Sequence, residues 1–358
     1  MSATRITITY FNVSLIGYSS FFLEALQLAA RSKPGRSIKI IIKQATATEV
    51  GVKPNSAICF FRAECGAQCF SFLIDADDTP SVRLVLPRNG CFRTSDLRPL
   101  YFKVNLRGAP GSDQTAKTTD PKILAVPPFF ALRPSHPWRL VNMRAGWRRI
   151  SDDVTDLVTL PPLSQILGLR SCMKTHDVAF LSAYYPHPDH KLDNEYRLEL
   201  IERLRRENSI RCIAYFAVKE RANLPEHFRH VSGPYLPLKR FLRLLAASRL
   251  GVYVRGVHDC YSFKLPQYMA LGLPIVGQPI LRDGFEDMGP PSYSDQFSFE
   301  SPGELVNRMK DLLSQPAELQ ALGVGNMNFF DEALNPMAVG KQILQEVANH
   351  FESGSTLD

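Results

Sequence analysis

Short apolar runs alternate with helix-spaced segments along this chain, and the alternation lapses near residue 151 and restarts near residue 178. A strand, helix, strand order covers each strand with helices and argues for a parallel sheet with right-handed crossovers. Two such series in 358 residues exceed one ordinary core and suit two domains.

In the first series Arg5–Tyr10 alternates like a strand. Phe21–Arg31 then sets Phe22, Leu26, Ala29 and Ala30 at helical spacing, with Ser20 as N-cap and Lys33-Pro34-Gly35 as the break. Ile38–Ile42 is a β-branched run suited to a strand covered on both faces. Ala57–Phe61, Phe70–Ile74, Tyr101–Val104 and Ile123–Val126 read as further strands, and the polar segment Arg107–Pro121 as a mobile loop. Ser151–His176, which holds Pro161-Pro162, reads as a connector.

The second series opens with a strand at Val178–Ser182 and a helix capped by Asp193, with Tyr196, Leu200, Ile201 and Leu204 on one face. Strand Ile210–Phe216, helix Leu238–Ser248 and strand Leu250–Val254 follow. A short helix over Phe263–Leu271, its stop at Gly272-Leu273-Pro274 and a strand at Ile275–Gly277 come next. Pro302–Leu313, Pro316–Leu322 and Met337–Asn349 read as helices, and Ser353–Asp358 as a frayed tail.

The expected architecture is α/β, two Rossmann-like domains facing a central cleft. Residues 1–160 form the first, 161–336 the second, and a C-terminal helix over 337–358 packs back toward the first. In such sheets ligands sit beyond the carboxyl ends of the strands.

Composition narrows the function classes. Hydrophobic residues make up 45% and charged residues 22%, an ordinary globular balance. No stretch approaches the run of about 20 apolar residues that a spanning helix needs. The opening MSATRITITYFNV reads as a first strand and not as a signal peptide, so a cytoplasmic location is expected. Seven cysteines, with Cys65 and Cys69 at neither a redox nor a common zinc spacing, read as reduced, partly buried thiols. The net charge of +7 favours phosphorylated ligands, anionic lipid surfaces or nucleic acid without choosing among them. Its densest cluster is Arg139, Arg144, Arg148 and Arg149, interleaved with Trp138 and Trp147. That cluster is either a solvated face or a peripheral membrane contact. Nothing besides charge suggests nucleic acid, and none is expected as a partner.

The most informative segment is LGVYVRGVHDCYSFKLPQYMALGLPIVGQPI, Leu250–Ile280. An apolar strand ends at Val254, and Gly256 follows where backbone must turn or let a ligand approach. A polar loop holds His258, Asp259 and Ser262. A helix beginning near Phe263 offers free amides, and Lys264 in its first turn adds a cation suited to a diphosphate. The alternative is a strand, turn and helix with no ligand.

This segment resembles the donor-binding region of GT-B glycosyltransferases. Many of these carry an acidic residue, seven intervening residues and a glutamate, then Ala-x-Ala-x-Gly-x-Pro-Val-Val. Here Asp259 is followed by seven residues, then Gln267 and Tyr268-Met269-Ala270-Leu271-Gly272-Leu273-Pro274-Ile275-Val276. The segment is also similar to exostosin-like transferases, whose serine, basic residue and glutamate correspond to Ser262, Lys264 and Gln267. The resemblance implies a nucleoside diphosphate sugar as substrate, no bound metal or cofactor, and polysaccharide biosynthesis as the setting. It implies donor contacts from Arg255, Gly256, Asp259, Ser262, Lys264, Gln267 and Arg197. Gln267 would meet the ribose hydroxyls, since an amide both accepts and donates. The first domain would bind a glycan, lipid or protein acceptor, and closure would exclude water. Beyond the second half the resemblance is thin, resting on Ile74–Asp78 and Tyr101-Phe102-Lys103.

Candidates for catalysis lie at strand ends. Asp75, Asp77 and Asp78 follow Phe70–Ile74 and offer a general base, or only a solvated turn. His187 and His190 lie in the loop after Val178–Ser182, and His227 and His230 form a second pair; neither pair is the HExxH of a zinc helix. Lys103 alternates with Phe102, which turns it away from the buried face. GxxxxGK, GxSxG and GxGxxG are absent, which removes the usual support for ATPase, serine hydrolase and dehydrogenase chemistry. Two alternatives to transfer remain: a non-catalytic GT-B relative acting as a binding or scaffold protein, and an epimerase or hydrolase acting on the nucleotide sugar.

Overall fold

The computed structural model describes residues 5–32, 38–50, 57–78, 100–106, 122–144, 146–281 and 292–354. The predicted break at Lys33-Pro34-Gly35 and the predicted loop Arg107–Pro121 lie outside them. The chain divides into two compact units, one of Met1–Pro162 with Glu332–Asp358, the other of Leu163–Leu281 with Phe285–Asp331.

The first unit is built on strands β1 (Ile6–Asn12), β2 (Ile38–Gln44), β3 (Ile58–Cys65), β4 (Gln68–Asp75), β5 (Leu100–Lys103) and β6 (Ile123–Ala125), in spatial order β2-β1-β3-β4-β5-β6. The sheet is mixed, where an all-parallel one was expected. β1 pairs antiparallel with β3, and β3 antiparallel with β4, while the outer pairs are parallel. The cause is local. β3 and β4 are joined by the two residues Gly66-Ala67, with Gly66 at φ +61, as a two-residue hairpin requires.

Helix α1 (Ile16–Ser32) follows β1, a four-residue turn of helix, α2 (Ala47–Val50), follows β2, and α3 (Trp147–Thr159) ends this part of the unit. Ser20 is a buried residue inside α1, not its cap; the helix starts a turn earlier because Ile16, Phe21 and Phe22 all have core to bury. The core is aromatic: Phe21 and Phe22 pack on Phe129 at ring separations of 5.8 and 4.8 Å, and Phe61 stacks on Phe72 at 4.8 Å. The region expected as a plain connector is helical, with α3 followed by α4 (Leu163–Leu167).

The second unit holds β7 (His176–Ser182), β8 (Cys212–Val218), β9 (Ser232–Pro234), β10 (Ser248–Tyr253) and β11 (Ile275–Gly277), in order β11-β10-β7-β8-β9, every pair parallel. Its helices are α5 (Lys191–Arg206), α6 (Leu238–Ala246), α7 (Lys264–Ala270), α8 (Tyr293–Gln296), α9 (Pro302–Leu313) and α10 (Pro316–Phe329). One continuous cluster joins Val178, Phe180, Leu200, Leu250, Val252 and Leu305. Asp193 lies in the first turn of α5, which starts at Lys191 without a side-chain cap. By contrast, Ser301 and Glu304 form a full capping box on α9.

The last helix, α11 (Pro336–Gly354), returns to the first unit and lies on α1. A Cβ at Gly340 would overlap the Ala25 carbonyl and stand 3.0 Å from the Ala29 Cβ, so only glycine admits this approach. No helix among the described residues is long and apolar enough to cross a membrane.

Candidate functional site

β7 and β10 are neighbours in the parallel sheet, and the loops leaving their carboxyl ends converge. β7 leads through Tyr185, His187 and His190 into α5, and β10 leads through Arg255–Ser262 into α7. The His190 and His258 rings stand 5.1 Å apart, and Nη2 of Arg197 on α5 donates to the Arg255 carbonyl at 2.9 Å.

The β10 loop is tightly wound. The Gly256 amide donates to the Cys260 carbonyl at 2.9 Å, and a Cβ at Gly256 would run into the Cys260 sulfur. That close approach explains the glycine, because its own φ is −73. The left-handed backbone falls instead on His258 and Asp259, both at φ 56. Two consecutive non-glycine residues in this region are uncommon, and such conformations concentrate at ligand sites.

Three side chains stand out where these loops meet. Arg197 is 3% exposed. Its guanidinium carbon stands 4.9 Å from the centroid of the Tyr185 ring, and its Nη1 has no hydrogen-bond partner. Burial lowers the pKa of the guanidinium. Lys264, the first residue of α7, sends its ammonium inward, where Nζ donates to the Leu181 carbonyl and sits 5.3 Å from the Phe180 ring centroid. Burial, with the Arg197 charge second, pulls its pKa from 10.5 to about 7. Gln267, one turn further along α7, is 5% exposed, and its Oε1 has no partner. Neither Arg197 nor Lys264 forms an ion pair with a carboxylate among the described residues. Buried polar atoms normally find partners, and buried charges normally find opposite charges. An anion for the cations and a hydrogen-bond donor for Gln267 Oε1 are the partners such groups take.

The other predicted residues fall around this centre. Arg255 is engaged by carboxylates, Asp259 at 3.5 Å and Glu300 at 3.2 Å, and its amide donates to Gln278 Oε1 at 3.0 Å. Ser262 Oγ accepts from the Lys264 amide at 3.4 Å, at the start of a helix only seven residues long. His187 is exposed, its Nδ1 accepting from the Asp189 amide at 3.4 Å and its ring 6.0 Å from His190. Tyr185 joins the site without having been anticipated from the sequence. The signal for it is the aromatic pair Tyr184-Tyr185 directly after a strand end.

Asp75 and Asp77 belong to the first unit. Asp75 is fully buried, receives the Tyr101 hydroxyl and pairs with Lys103 Nζ at 3.0 Å. Lys103 is likewise fully buried and also donates to the Asp77 carbonyl at 2.9 Å, so it does not turn toward solvent. The Asp77 amide donates to Asp75 Oδ1 at 2.9 Å. Among the described residues no group of three or more His, Cys, Asp or Glu converges as a metal would require, and six cysteines are free. A separate cavity of about 290 Å³ lies at the amino ends of β7, β10 and β11, lined in part by Arg170, Lys174, Arg249 and Leu271; no predicted site residue lines it.

No family model matches the chain, and no curated protein matches its sequence. Some solved structures are distantly similar to it in fold. Sucrose-phosphate synthase from Thermosynechococcus elongatus is 8% identical with a TM-score of 0.39, over 72% of this chain and 69% of that one. A protein described as a UDP-N-acetylglucosamine 2-epimerase from Listeria monocytogenes is 12% identical with a TM-score of 0.43, over 98% of both chains. Spinosyn forosaminyltransferase is 13% identical with a TM-score of 0.39, over 97% of this chain and all of that one.

Proposed function

We propose that the second unit binds the diphosphate of a nucleoside diphosphate sugar, and that the chain transfers the glycosyl group to a glycan, lipid or protein acceptor. The observation that carries this reading is the pair of inward-facing cations, Arg197 and Lys264, without a carboxylate, beside the orphaned Oε1 of Gln267. They stand where ligands of parallel α/β sheets bind, beyond the carboxyl ends of adjacent strands. Their segment is the one that resembles GT-B donor sites.

The chemistry follows from the charges. As the bond from sugar to diphosphate breaks, negative charge grows on the departing phosphate oxygen, and fixed cations in a poorly hydrated site stabilise it best. Arg197 offers the open Nη1, and a bound anion restores the proton to Lys264. Gln267 Oε1 accepts from a sugar hydroxyl. Arg255, held by Asp259 and Glu300, shapes the loop and contributes little net charge.

A thermal-shift panel of nucleoside diphosphates tests the site, since a ligand at about 100 times its Kd adds roughly 2.7 kcal/mol. One or more members should raise the melting temperature, and no effect from any member would remove the reading. A nucleotide-sugar binder without transferase activity is the second reading. It is favoured by Asp75, a candidate base that is sealed into an ion pair with Lys103. Hydrolysis of donor in the absence of acceptor separates the two, because a pure binder releases no free sugar.

A further inference from the structure

Both tryptophans of the chain lie within ten residues of each other in the first unit, and both face out. Trp138 is 65% exposed and Trp147 84%, and Met143 between them is 68% exposed. Large apolar groups so placed on a surface mark an interaction site. Arg139, Arg144 and Arg148 are exposed among them. Arg144 meets Glu49 at 2.7 Å, while Arg139 and Arg148 form no ion pair among the described residues. Arg149 is turned the other way, to Asp153 at 2.6 Å and to the Ser14 carbonyl, and anchors the segment.

The helix itself adds to the pattern. α3 begins with Trp147-Arg148-Arg149 and has no acidic residue in its first turn. Cations there oppose the helix dipole, so helix stability does not explain them. Trp147 and Val158, which is 54% exposed, lie three turns apart on one face. Leu157 and Asp153 take the buried face.

We infer that the face carrying Trp138, Met143 and Trp147 with Arg139, Arg144 and Arg148 docks on an anionic lipid bilayer. Indole rings favour the boundary between headgroups and acyl chains, and arginines around them meet lipid phosphates. Charge complementarity selects this occupant. An apolar protein groove would accept the tryptophans and reject two unpaired guanidinium groups, whereas an anionic interface takes both. The inference is independent of the nucleotide site.

The two tryptophans make the test direct, because every indole of the protein sits in the patch. On titration with phosphatidylglycerol vesicles, tryptophan emission should shift to the blue and the protein should sediment with lipid. Pure phosphatidylcholine vesicles should produce neither effect. Arg139→Gln with Arg148→Gln keeps both emitters and should weaken partitioning about thirtyfold, as expected for two basic groups at an anionic surface. Trp138→Ser with Trp147→Ser, checked for folding by circular dichroism, should abolish sedimentation with anionic vesicles. No emission shift on anionic vesicles, or equal binding to neutral ones, would overturn the inference. So would an equal shift on a soluble polyanion such as heparin, which would assign the patch to polyanions in general.

Discussion

Lys264 is the residue on which most of the proposed chemistry turns. With a folded pKa near 7 against 10.5 in the unfolded chain, the unfolded state binds more protons between those values. Stability is therefore expected to rise with pH from about 7 to about 10.5 through this group, and Lys264→Met should flatten that rise in urea titrations. A bound anion acts in the opposite sense, holding the proton on. Nucleotide binding near pH 8 should take up a substantial fraction of one proton, visible as a difference in binding enthalpy between buffers of different ionisation enthalpy. Lys264→Met should abolish the uptake.

The pair of Asp75 and Lys103 shows where residue-level reading stops. Alternation correctly places Lys103 on the face opposite Phe102, but parity assigns a face and says nothing about solvent. β5 is covered on both sides, so the charge is neutralised inside the core. Lys103→Met alone should destabilise the protein by about 3–5 kcal/mol in denaturant, because it strands a buried carboxylate. Lys103→Met with Asp75→Leu should recover much of that loss. Arg197 is a donor contact in the sequence only through the resemblance, since its own helix is arginine-rich and ordinary surface charge reads equally well there. What sets it apart is burial and an open Nη1, neither of which has a sequence signature.

At the scale of elements, the runs that read most clearly have a single physical meaning. Ile38–Ile42, isoleucine at four of five positions, is a strand, but it lies at the sheet edge and is only partly buried, not covered on both faces; Pro302–Leu313 follows a serine with glutamate in the capping position and is a helix with those bounds. Ser301→Ala should cost about 1 kcal/mol, measured as a fall in Tm. The antiparallel pairing of β3 and β4 is harder to read, because Ala57–Phe61 and Phe70–Ile74 look like separate short strands. Each continues past its apolar part, through Arg62 and Glu64 or Gln68, to meet at Gly66-Ala67. The helix α11 carries another such hidden constraint. Gly340→Ala should destabilise the first unit by about 1–3 kcal/mol and raise hydrogen exchange in α11, since the added methyl meets backbone on α1 and not a movable side chain.

For the whole molecule, the two α/β units differ in what they carry: the second holds the inward-facing cations Arg197 and Lys264, which pair with no carboxylate among the described residues, and the first the exposed tryptophan and arginine face. The boundary between them falls between Pro162 and Leu163, within the segment Ser151–His176 that the sequence reads as a connector. The central claim is that Lys264 and Arg197 await a diphosphate. Isothermal titration of the wild type and Lys264→Ala with a panel of nucleoside diphosphates tests it most directly. Binding of at least one nucleotide by the wild type, weakened about ten- to a hundredfold in the variant with its fold intact, is the predicted result. Wild-type binding that the variant retains at full strength, or no binding of any nucleotide by the wild type, would contradict it.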